Sequence, residues 1–295
     1  MRRNKVRDFL EFCLFYLFYI IVCLLPKWIV FKFGEVIAEV VFRRRKNVLV
    51  SNIKLAFNEK LDPEVIYKEV KSNISRSIIE VMRLVWGKDK EILSNINING
   101  KEYIDEVLKK EKGAILMGAH FGNFLLLNIF LRAVLNYPIA VVVRDFENPY
   151  LAKFSDWARE KVYKIETIKD KPKRECAIKC INALRENKLV VILIDQNASR
   201  RDIYVPFFGR EVPTYRGIIT ISKRTKAPII PIFIKREEDS KFTVFVEKPI
   251  YFEDNDFSLD VLKSQLTYLT KICEDYIRKY PNQWWWFHRR WRKAK

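Results

Sequence analysis

The stretch that decides the fold is GAILMGAHFGNFLLLNIFLRAVL, residues 113–135. Its first six residues predict a short buried strand, because they form an apolar run bounded by two glycines. His120 lies in the turn that follows, and residues 124–135 are apolar over the length of a helix. α/β sheets bind their ligands at such strand-to-helix turns. We therefore expect His120, one of only two histidines, to be functional; a hydrogen-bonded histidine of the core is the alternative.

Strand-length and helix-length segments alternate along most of the chain. Asp62, Pro63 and Glu64 mark the start of a long amphipathic helix that ends near Gly87. The further predicted strands are 114–118, 139–144, 189–195, 229–235 and 242–248, and the predicted helices are 124–135, 150–163, 173–187, 214–225 and 258–279. This alternation predicts an α/β fold with a mixed, mostly parallel sheet flanked by helices.

The N-terminal part is apolar. Residues 12–25 carry no charge, and a second apolar stretch follows Pro26. Basic clusters at 1–7 and 43–46 flank the two stretches. The uncharged stretch is shorter than a spanning helix needs, and one crossing would place the second cluster on the wrong side of the membrane. We predict a membrane-anchoring helical segment at 1–46, bent or lying in the interface, with a tilted single span as the alternative. Residues 47–295 would form the α/β domain.

The charge of the chain indicates an anionic partner. Lysine and arginine number 55 against 36 acidic residues, a formal net charge of +19. Nucleic acid, an anionic membrane surface and a phosphorylated substrate all fit this excess. The C-terminal sequence QWWWFHRRWRKAK, residues 283–295, interleaves aromatic and basic side chains that suit either stacked bases or lipid headgroups. Because the N-terminal segment is apolar, we expect the membrane surface and no nucleic acid.

Sequence motifs of several other chemistries are absent. The chain has no Gly-x-Gly-x-x-Gly, no P-loop and no Gly-x-Ser-x-Gly, and its five cysteines lack the spacing of a zinc site or a disulfide framework. We expect no metal and no cofactor. Catalysis would then depend on His120, carboxylates and arginines.

A second polar block, Asp195-Gln196-Asn197, follows the predicted strand that begins at Leu189. Asp195 and His120 both lie at the carboxyl ends of predicted strands, so they can meet at one edge of the sheet. Arg144 ends another strand, and Arg174 begins a helix that leads back toward Asp195. The alternative is that Asp195 caps a turn and the arginines are solvated.

These blocks resemble a known family. His120-Phe-Gly-Asn-Phe, Asp195-Gln-Asn, Val205-Pro-Phe-Phe-Gly, Thr214 and Pro231 resemble the late acyltransferases of bacterial lipid A synthesis, the lauroyl and myristoyl transferases, which are relatives of the lysophospholipid acyltransferases. The resemblance extends to residues 52–57 and 281–290, so it covers nearly the whole chain in order.

The resemblance implies an acyl-carrier-protein thioester as donor and a phosphorylated glucosamine lipid as acceptor, at the cytoplasmic face of the inner membrane. His120 would be the general base that takes the proton of the acceptor hydroxyl. Asp195 and Arg174 would pair to shape the pocket, and Arg174 is the arginine that matches the family by position. The candidate substrate contacts are Asn123, Arg144, Arg174, Asp195, Gln196, Arg200, Arg201, Thr214 and Arg216.

The chain departs from the family at one position. The catalytic motif of the family is His-x4-Asp/Glu, and the fifth residue after His120 is Leu125. Either another carboxylate replaces the acid, with Asp145, Glu147 and Asp195 as candidates, or a backbone carbonyl or Asn123 orients the ring, or the reaction is lost. The alternatives to the main reading are therefore an impaired homologue that binds lipid or a partner without turnover, and an acyltransferase for a phosphatidylinositol mannoside or a lysophospholipid.

Overall fold

The computed structural model of the chain describes residues 5–238 and 240–294. The helices of this part are α1 (Lys5–Leu24), α2 (Lys27–Arg43), α3 (Lys46–Phe57), α4 (Pro63–Val85), α5 (Lys101–Lys109), α6 (Phe124–Ala133), α7 (Pro149–Trp157), α8 (Lys173–Arg185), α9 (Gly217–Thr225) and α10 (Leu259–Lys279). The strands are β1 (Ile96–Asn99), β2 (Ala114–Gly118), β3 (Ile139–Val143), β4 (Glu166–Lys169), β5 (Leu189–Leu193), β6 (Ile203–Phe207), β7 (Arg210–Thr214), β8 (Ile229–Arg236) and β9 (Phe242–Val246).

Seven of these strands form one mixed sheet in the order β1-β9-β8-β2-β5-β3-β4. Every neighbouring pair is parallel except β8 and β9, which are antiparallel. Two buried apolar clusters contain alternate residues of the same strands, as expected for a sheet covered on both faces. The predicted fold, a mixed and mostly parallel sheet flanked by helices, is confirmed.

The pairing of β2 with β5 brings the two candidate blocks together. Gly118 lies opposite Leu193 in this parallel pair, and the N–H of Ile194 donates to the carbonyl of Gly118 at 3.2 Å. The chain therefore leaves both strands at the same edge of the sheet, His120 after β2 and Asp195 after β5. The ends of β3, β4 and β8 lie at this edge too, because these strands run parallel to β2 and β5.

Several elements have no counterpart among the sequence predictions. They are α3, α5, β1, β4 and the separate antiparallel hairpin of β6 and β7. Strands β1 and β4 have only four residues each and lie at the two ends of the sheet, where polar residues interrupt the apolar pattern. The hairpin contains Pro206 and Pro213, which argue against a central strand. It tolerates both prolines because it has only two strands.

Helices α1 and α2 fall within the predicted anchoring segment, of which residues 1–4 lie outside the described part. They pack against α4 through buried Tyr19, Val30 and Ile79. Gly34 makes a close approach possible, since a Cβ there would lie 2.4 Å from the Cδ1 of Ile79. The outward faces of the two helices expose the apolar side chains of Phe9, Leu10, Leu14, Leu17, Trp28, Val36 and Val40.

None of the helices within residues 5–238 and 240–294 is both long enough and apolar enough to cross a membrane. The tilted single span that the sequence left open therefore has no candidate helix among them.

Asp62 caps α4 as predicted, because its Oδ1 accepts a hydrogen bond from the N–H of Glu64 at 2.8 Å.

Candidate active site

His120 lies in the turn between β2 and α6, and its side chain is 23% exposed. Its ring Nδ1 lies 2.9 Å from Oδ1 of Asp195, and its backbone N–H donates to Oδ2 of the same carboxylate at 3.1 Å. The turn needs a glycine two residues later: Gly122 has a φ of +55°, and a Cβ there would lie 1.8 Å from the carbonyl oxygen of Ile234. One aspartate thus fixes both the backbone and the ring of His120.

Asp195 is buried, and its carboxylate has a third donor. The indole Nε1 of Trp284 donates to Oδ2 at 2.7 Å. Burial alone would raise the pKa of Asp195, but the positive charge and hydrogen bond of His120, together with the indole, outweigh it and lower the pKa to about 2. Asp195 is therefore ionised at neutral pH and accepts hydrogen bonds only.

The ionised Asp195 determines the tautomer of the neutral imidazole. Because the carboxylate cannot donate, Nδ1 of His120 carries the proton, and Nε2 has the free lone pair. Nε2 lies 3.0 Å from the amide nitrogen of Gln196. This arrangement of base and orienting carboxylate is the one that nucleophilic and general-base enzymes use.

His120 lies at one end of a cleft between α4 and α6. Apolar side chains from α4, from α6 and from the C-terminal segment line it: Val70, Ile74, Ile78, Phe124, Leu125 and Trp285. The ring of Phe124 stands edge-on to the imidazole, with centroids 5.0 Å apart. Nδ1 faces the buried carboxylate. The cleft beside the ring is small, with a volume of about 50 Å³, and polar side chains such as Asn73, Ser77 and Asn282 also line it.

Leu125 lies on the first turn of α6, 40% exposed and lining this cleft. Nδ1 of His120 is already occupied by Asp195, so the geometry matches the first of the three explanations for the missing acid. Asp145 does not take this place, since it forms an ion pair with Lys169.

The structure corrects two predicted substrate contacts. Asn123 is buried: its Oδ1 caps α6 by accepting from the N–H of Leu126 at 3.1 Å, and its Nδ2 donates to Glu80 at 2.9 Å. It is therefore occupied in holding α6 and neither orients the imidazole nor faces the cleft with a free group. Thr214 is fully buried, and its hydroxyl accepts from Arg290 at 2.7 Å, so it supports the fold instead of contacting a ligand.

The predicted pairing of Asp195 with Arg174 is also wrong. Asp195 is buried and satisfied by His120 and Trp284, whereas Arg174 is exposed on the first turn of α8. The guanidinium of Arg174 makes no hydrogen bond or ion pair within the part of the chain that the structure describes. An exposed cation cannot neutralise a carboxylate that is sealed behind an imidazole.

The remaining predicted arginines form an exposed group that we call the arginine rim. Its members, which follow β3, β4, β5 and β7, are Arg144, Arg174, Arg200, Arg201 and Arg216. Arg144 pairs with Asp170 at 3.2 Å. The side chains of the other four form no ion pair with the described residues. Lys173 connects two of these loops, since its ammonium lies 4.6 Å from the ring centre of Tyr215.

The C-terminal run is mostly buried, contrary to the expectation that it faces lipid headgroups. Trp284, Trp286 and Phe287 are buried, and Arg290 is fully buried. The guanidinium of Arg290 donates to the carbonyls of Gln196 and Pro213, each at 2.8 Å. Residue 295 lies outside the described part.

This segment holds both loops of the site. The N–H of Trp285 donates to the carbonyl of His120 at 3.0 Å, while Trp284 holds Asp195. The alternation of aromatic and basic residues in the sequence fits a buried position as well as a surface.

A buried ion pair also escaped the sequence analysis. Both terminal nitrogens of Arg236 donate to the carboxylate of Glu80 at 2.7 Å. The same carboxylate accepts from Asn123, and the backbone N–H of Arg236 donates to Gln283 at 3.1 Å. This pair joins α4, β8, α6 and the C-terminal segment directly behind the turn of His120.

His288 is half-buried close to the same site. Burial lowers its pKa to about 4. The charge of Asp195 opposes this shift, and the charges of Arg290 and of protonated His120 add to it. It is neutral at pH 7, and its backbone carbonyl accepts from Asn52 at 2.9 Å.

Comparison with known proteins places this chain in a family. The family model described as bacterial lipid A biosynthesis acyltransferase matches residues 2–293. The chain belongs to this family. The resemblance noted in the sequence is confirmed, and membership indicates an acyltransferase of lipid metabolism.

Two relatives come from Escherichia coli strain K12. The lipid A biosynthesis lauroyltransferase is 24% identical over 274 residues, which cover 90% of this chain and 86% of the relative. The palmitoleoyltransferase is 21% identical over 253 residues, covering 84% and 79%. Among solved structures, the 1-acyl-sn-glycerophosphate acyltransferase PlsC from Thermotoga maritima matches 84% of this chain and 99% of its own, at 12% identity and a TM-score of 0.42, a similarity too low to argue from.

Proposed function

We propose that this protein transfers a fatty acyl chain from an acyl-carrier-protein thioester to a hydroxyl of a phosphorylated glucosamine lipid, a lipid A precursor, at the cytoplasmic face of the inner membrane. The observation that carries the proposal is the imidazole of His120, held on buried Asp195 in a residue that lines a partly apolar cleft. Membership of the lipid A acyltransferase family supports the choice of reaction.

The proposed chemistry begins when the acceptor hydroxyl donates a hydrogen bond to Nε2 of His120. The hydroxyl proton moves to Nε2 as the oxygen attacks the thioester carbonyl carbon, so a C–O bond forms and a tetrahedral intermediate carries the negative charge. The intermediate collapses, the C–S bond breaks, and the departing thiolate takes the proton from the imidazolium. Asp195 stabilises the imidazolium between the two proton transfers, and such general-base assistance contributes about 10²–10⁴-fold.

The apolar wall of the cleft supports an acyl chain near the base, although its volume of about 50 Å³ holds only a small part of such a chain as the side chains stand. Val70, Ile74 and Ile78 of α4 face Phe124 and Leu125 of α6 across it. A hydrocarbon chain between these side chains would leave water, at roughly 0.8 kcal/mol for each methylene that it buries. Leu125 adds to this wall, whereas a carboxylate at the same position would have to be desolvated.

The arginine rim supports an anionic substrate. Guanidinium groups bind phosphates and carboxylates with two parallel hydrogen bonds. Four of the rim arginines follow β3, β4 and β5, whose carboxyl ends lie at the sheet edge from which His120 and Asp195 emerge, and Arg216 follows β7 of the separate hairpin. We assign the rim to the phosphates of the acceptor or to the acidic surface of the carrier protein.

The N-terminal helices support action at a membrane surface. The outward faces of α1 and α2 expose apolar side chains such as Leu14, Trp28 and Val40, and Lys27 and Lys32 lie next to them. Helices with this pattern bind in the interface of a bilayer that carries anionic lipid.

The test uses the full-length protein with labelled acyl carrier protein and three acceptors in separate reactions: the lipid A precursor, a lysophospholipid and a phosphatidylinositol mannoside. Products are separated by thin-layer chromatography. We expect acylation of the lipid A precursor, lost in His120→Ala and retained in His288→Gln.

Product from another acceptor alone would assign a different lipid substrate. Absence of product with all three acceptors, from folded protein, would favour the impaired homologue that binds lipid without turnover.

A further inference from the structure

The reacting nitrogen of His120 is covered by a protein group. The amide nitrogen of Gln196 lies 3.0 Å from Nε2. Because Nδ1 donates its proton to Asp195, Nε2 can only accept, and the amide therefore donates to its lone pair. A general base needs that same lone pair free to take the proton of the acceptor hydroxyl.

The contact has a chemical consequence, because the acceptor hydroxyl competes with water for the base. Water on Nε2 would be activated in the same way and would hydrolyse the donor thioester: its oxygen would bond to the carbonyl carbon, the C–S bond would break, and free acid and thiol would leave. A thioester that binds before the acceptor is therefore exposed to hydrolysis. An amide on Nε2 excludes water from the lone pair until a better ligand arrives.

The backbone of Gln196 is fixed, so that only its side chain is free to move. Buried Arg290 donates to the carbonyl of Gln196 at 2.8 Å, and preceding Asp195 is held by His120 and Trp284. The side chain itself is half-buried and borders the site. Rotation about its own bonds uncovers Nε2 without disturbing the imidazole.

We infer that the side chain of Gln196 covers Nε2 of His120 in the empty or donor-loaded site and is displaced by the acceptor hydroxyl, so that the enzyme transfers the acyl chain in preference to hydrolysing the thioester. The inference rests on the proposed function. In this role Gln196 contacts the base, His120, whereas the sequence predicted that it contacts the substrate.

The test measures two rates on the same protein: thioester hydrolysis without acceptor, and acyl transfer at saturating acceptor. In Gln196→Ala we expect hydrolysis to rise about tenfold, the upper end of what one net hydrogen bond contributes, while the kcat for transfer stays within a few-fold. The KM for the acceptor falls, since the hydroxyl no longer displaces the amide. In Gln196→Glu both rates fall, because a carboxylate at this position accepts a hydrogen bond from a protonated Nε2 and so favours the imidazolium, which has no free lone pair.

Ser199→Ala, on the exposed part of the same loop, is the matched control and keeps the wild-type ratio of the two rates. An unchanged ratio in Gln196→Ala, or a parallel fall of both rates at an unchanged melting temperature, would overturn the inference and leave the proposed function standing. Wild-type protein that neither transfers nor hydrolyses would overturn the proposed function itself.

Discussion

The buried groups that hold His120 and the exposed arginine rim are built on opposite principles. Asp195, Trp284 and Arg290 are buried, and each is held by hydrogen bonds to fixed partners. The arginines of the rim are exposed, and among them Arg144 forms an ion pair, with Asp170. A reacting atom needs fixed geometry, whereas an anionic ligand needs donors that can adapt. Changes behind His120 should therefore damage chemistry or folding at any salt concentration, while changes on the rim should weaken binding in a salt-dependent way.

The largest effect is expected for the base itself. His120→Ala should lower the kcat for acyl transfer by about 10²–10⁴-fold, because no other group near the cleft replaces the lone pair of Nε2. His288→Gln should stay within a few-fold, since His288 is neutral and structural. Comparable losses in the two variants would contradict the assignment of the base.

Arg290 tests the support of the buried region. Arg290→Met leaves the carbonyls of Gln196 and Pro213 and the hydroxyl of Thr214 without their donor, and each unsatisfied group costs about 1–3 kcal/mol. Removal of the buried charge offsets part of this cost, because burial lowers the pKa of Arg290 to about 10. We expect a net loss of about 2–3 kcal/mol in urea unfolding. Exposed Arg289→Met should change stability by less than about 0.5 kcal/mol; equal effects would show that burial of the guanidinium is unimportant.

The pH dependence of stability tests the same region. His288 has a pKa near 4 when folded against 6.5 when free, so its contribution is present above pH 6.5 and is lost as the pH falls toward 4. Asp195 has a pKa near 2 when folded against 3.8, so its contribution, on the order of 2 kcal/mol, is lost only below pH 4. The free energy of unfolding of the wild type, measured in urea, should fall between pH 6.5 and 4, and that of His288→Gln should fall less. Parallel curves would contradict this account of His288.

The smallest effects are expected on the rim. Arg200→Ala combined with Arg201→Ala should raise the KM for the anionic substrate about three- to tenfold at low salt and leave kcat unchanged, because exposed charges attract ligands without touching the reacting atoms. The effect should disappear at high salt. The control is Arg185→Ala at the far end of α8, which is also exposed. A loss of kcat that persists at high salt would move these arginines into the chemistry.

The same contrast explains what the sequence could reveal. Strand β2 and the turn of His120 were predicted to the residue, because a short apolar run between glycines has few other structures. The meeting of His120 with Asp195 followed from one rule, that parallel strands end at a common edge. Both predictions depend on local pattern and simple topology.

The support of the site depends on contacts that local pattern does not encode. Trp284 and Asp195 lie 89 positions apart, and Arg290 and Gln196 lie 94 apart. A run of aromatic and basic residues has the same composition whether it faces lipid or the core, and Glu80 on an amphipathic helix looks like a solvent-facing residue. Asn123 is the exception, since an asparagine before an apolar run is itself a local helix-cap signal.

The most direct test compares Asp195→Asn with Leu125→Glu in one acyl-transfer assay. We predict that Asp195→Asn lowers kcat at least about 10²-fold, since an asparagine at this position no longer fixes the tautomer and no longer stabilises the imidazolium. Leu125→Glu should bring no gain and a loss of up to about tenfold, because Nδ1 of His120 is already occupied and the new charge lines an apolar cleft. A rise in turnover for Leu125→Glu, together with near-normal turnover for Asp195→Asn, would contradict the assignment of Asp195 as the acid that holds His120.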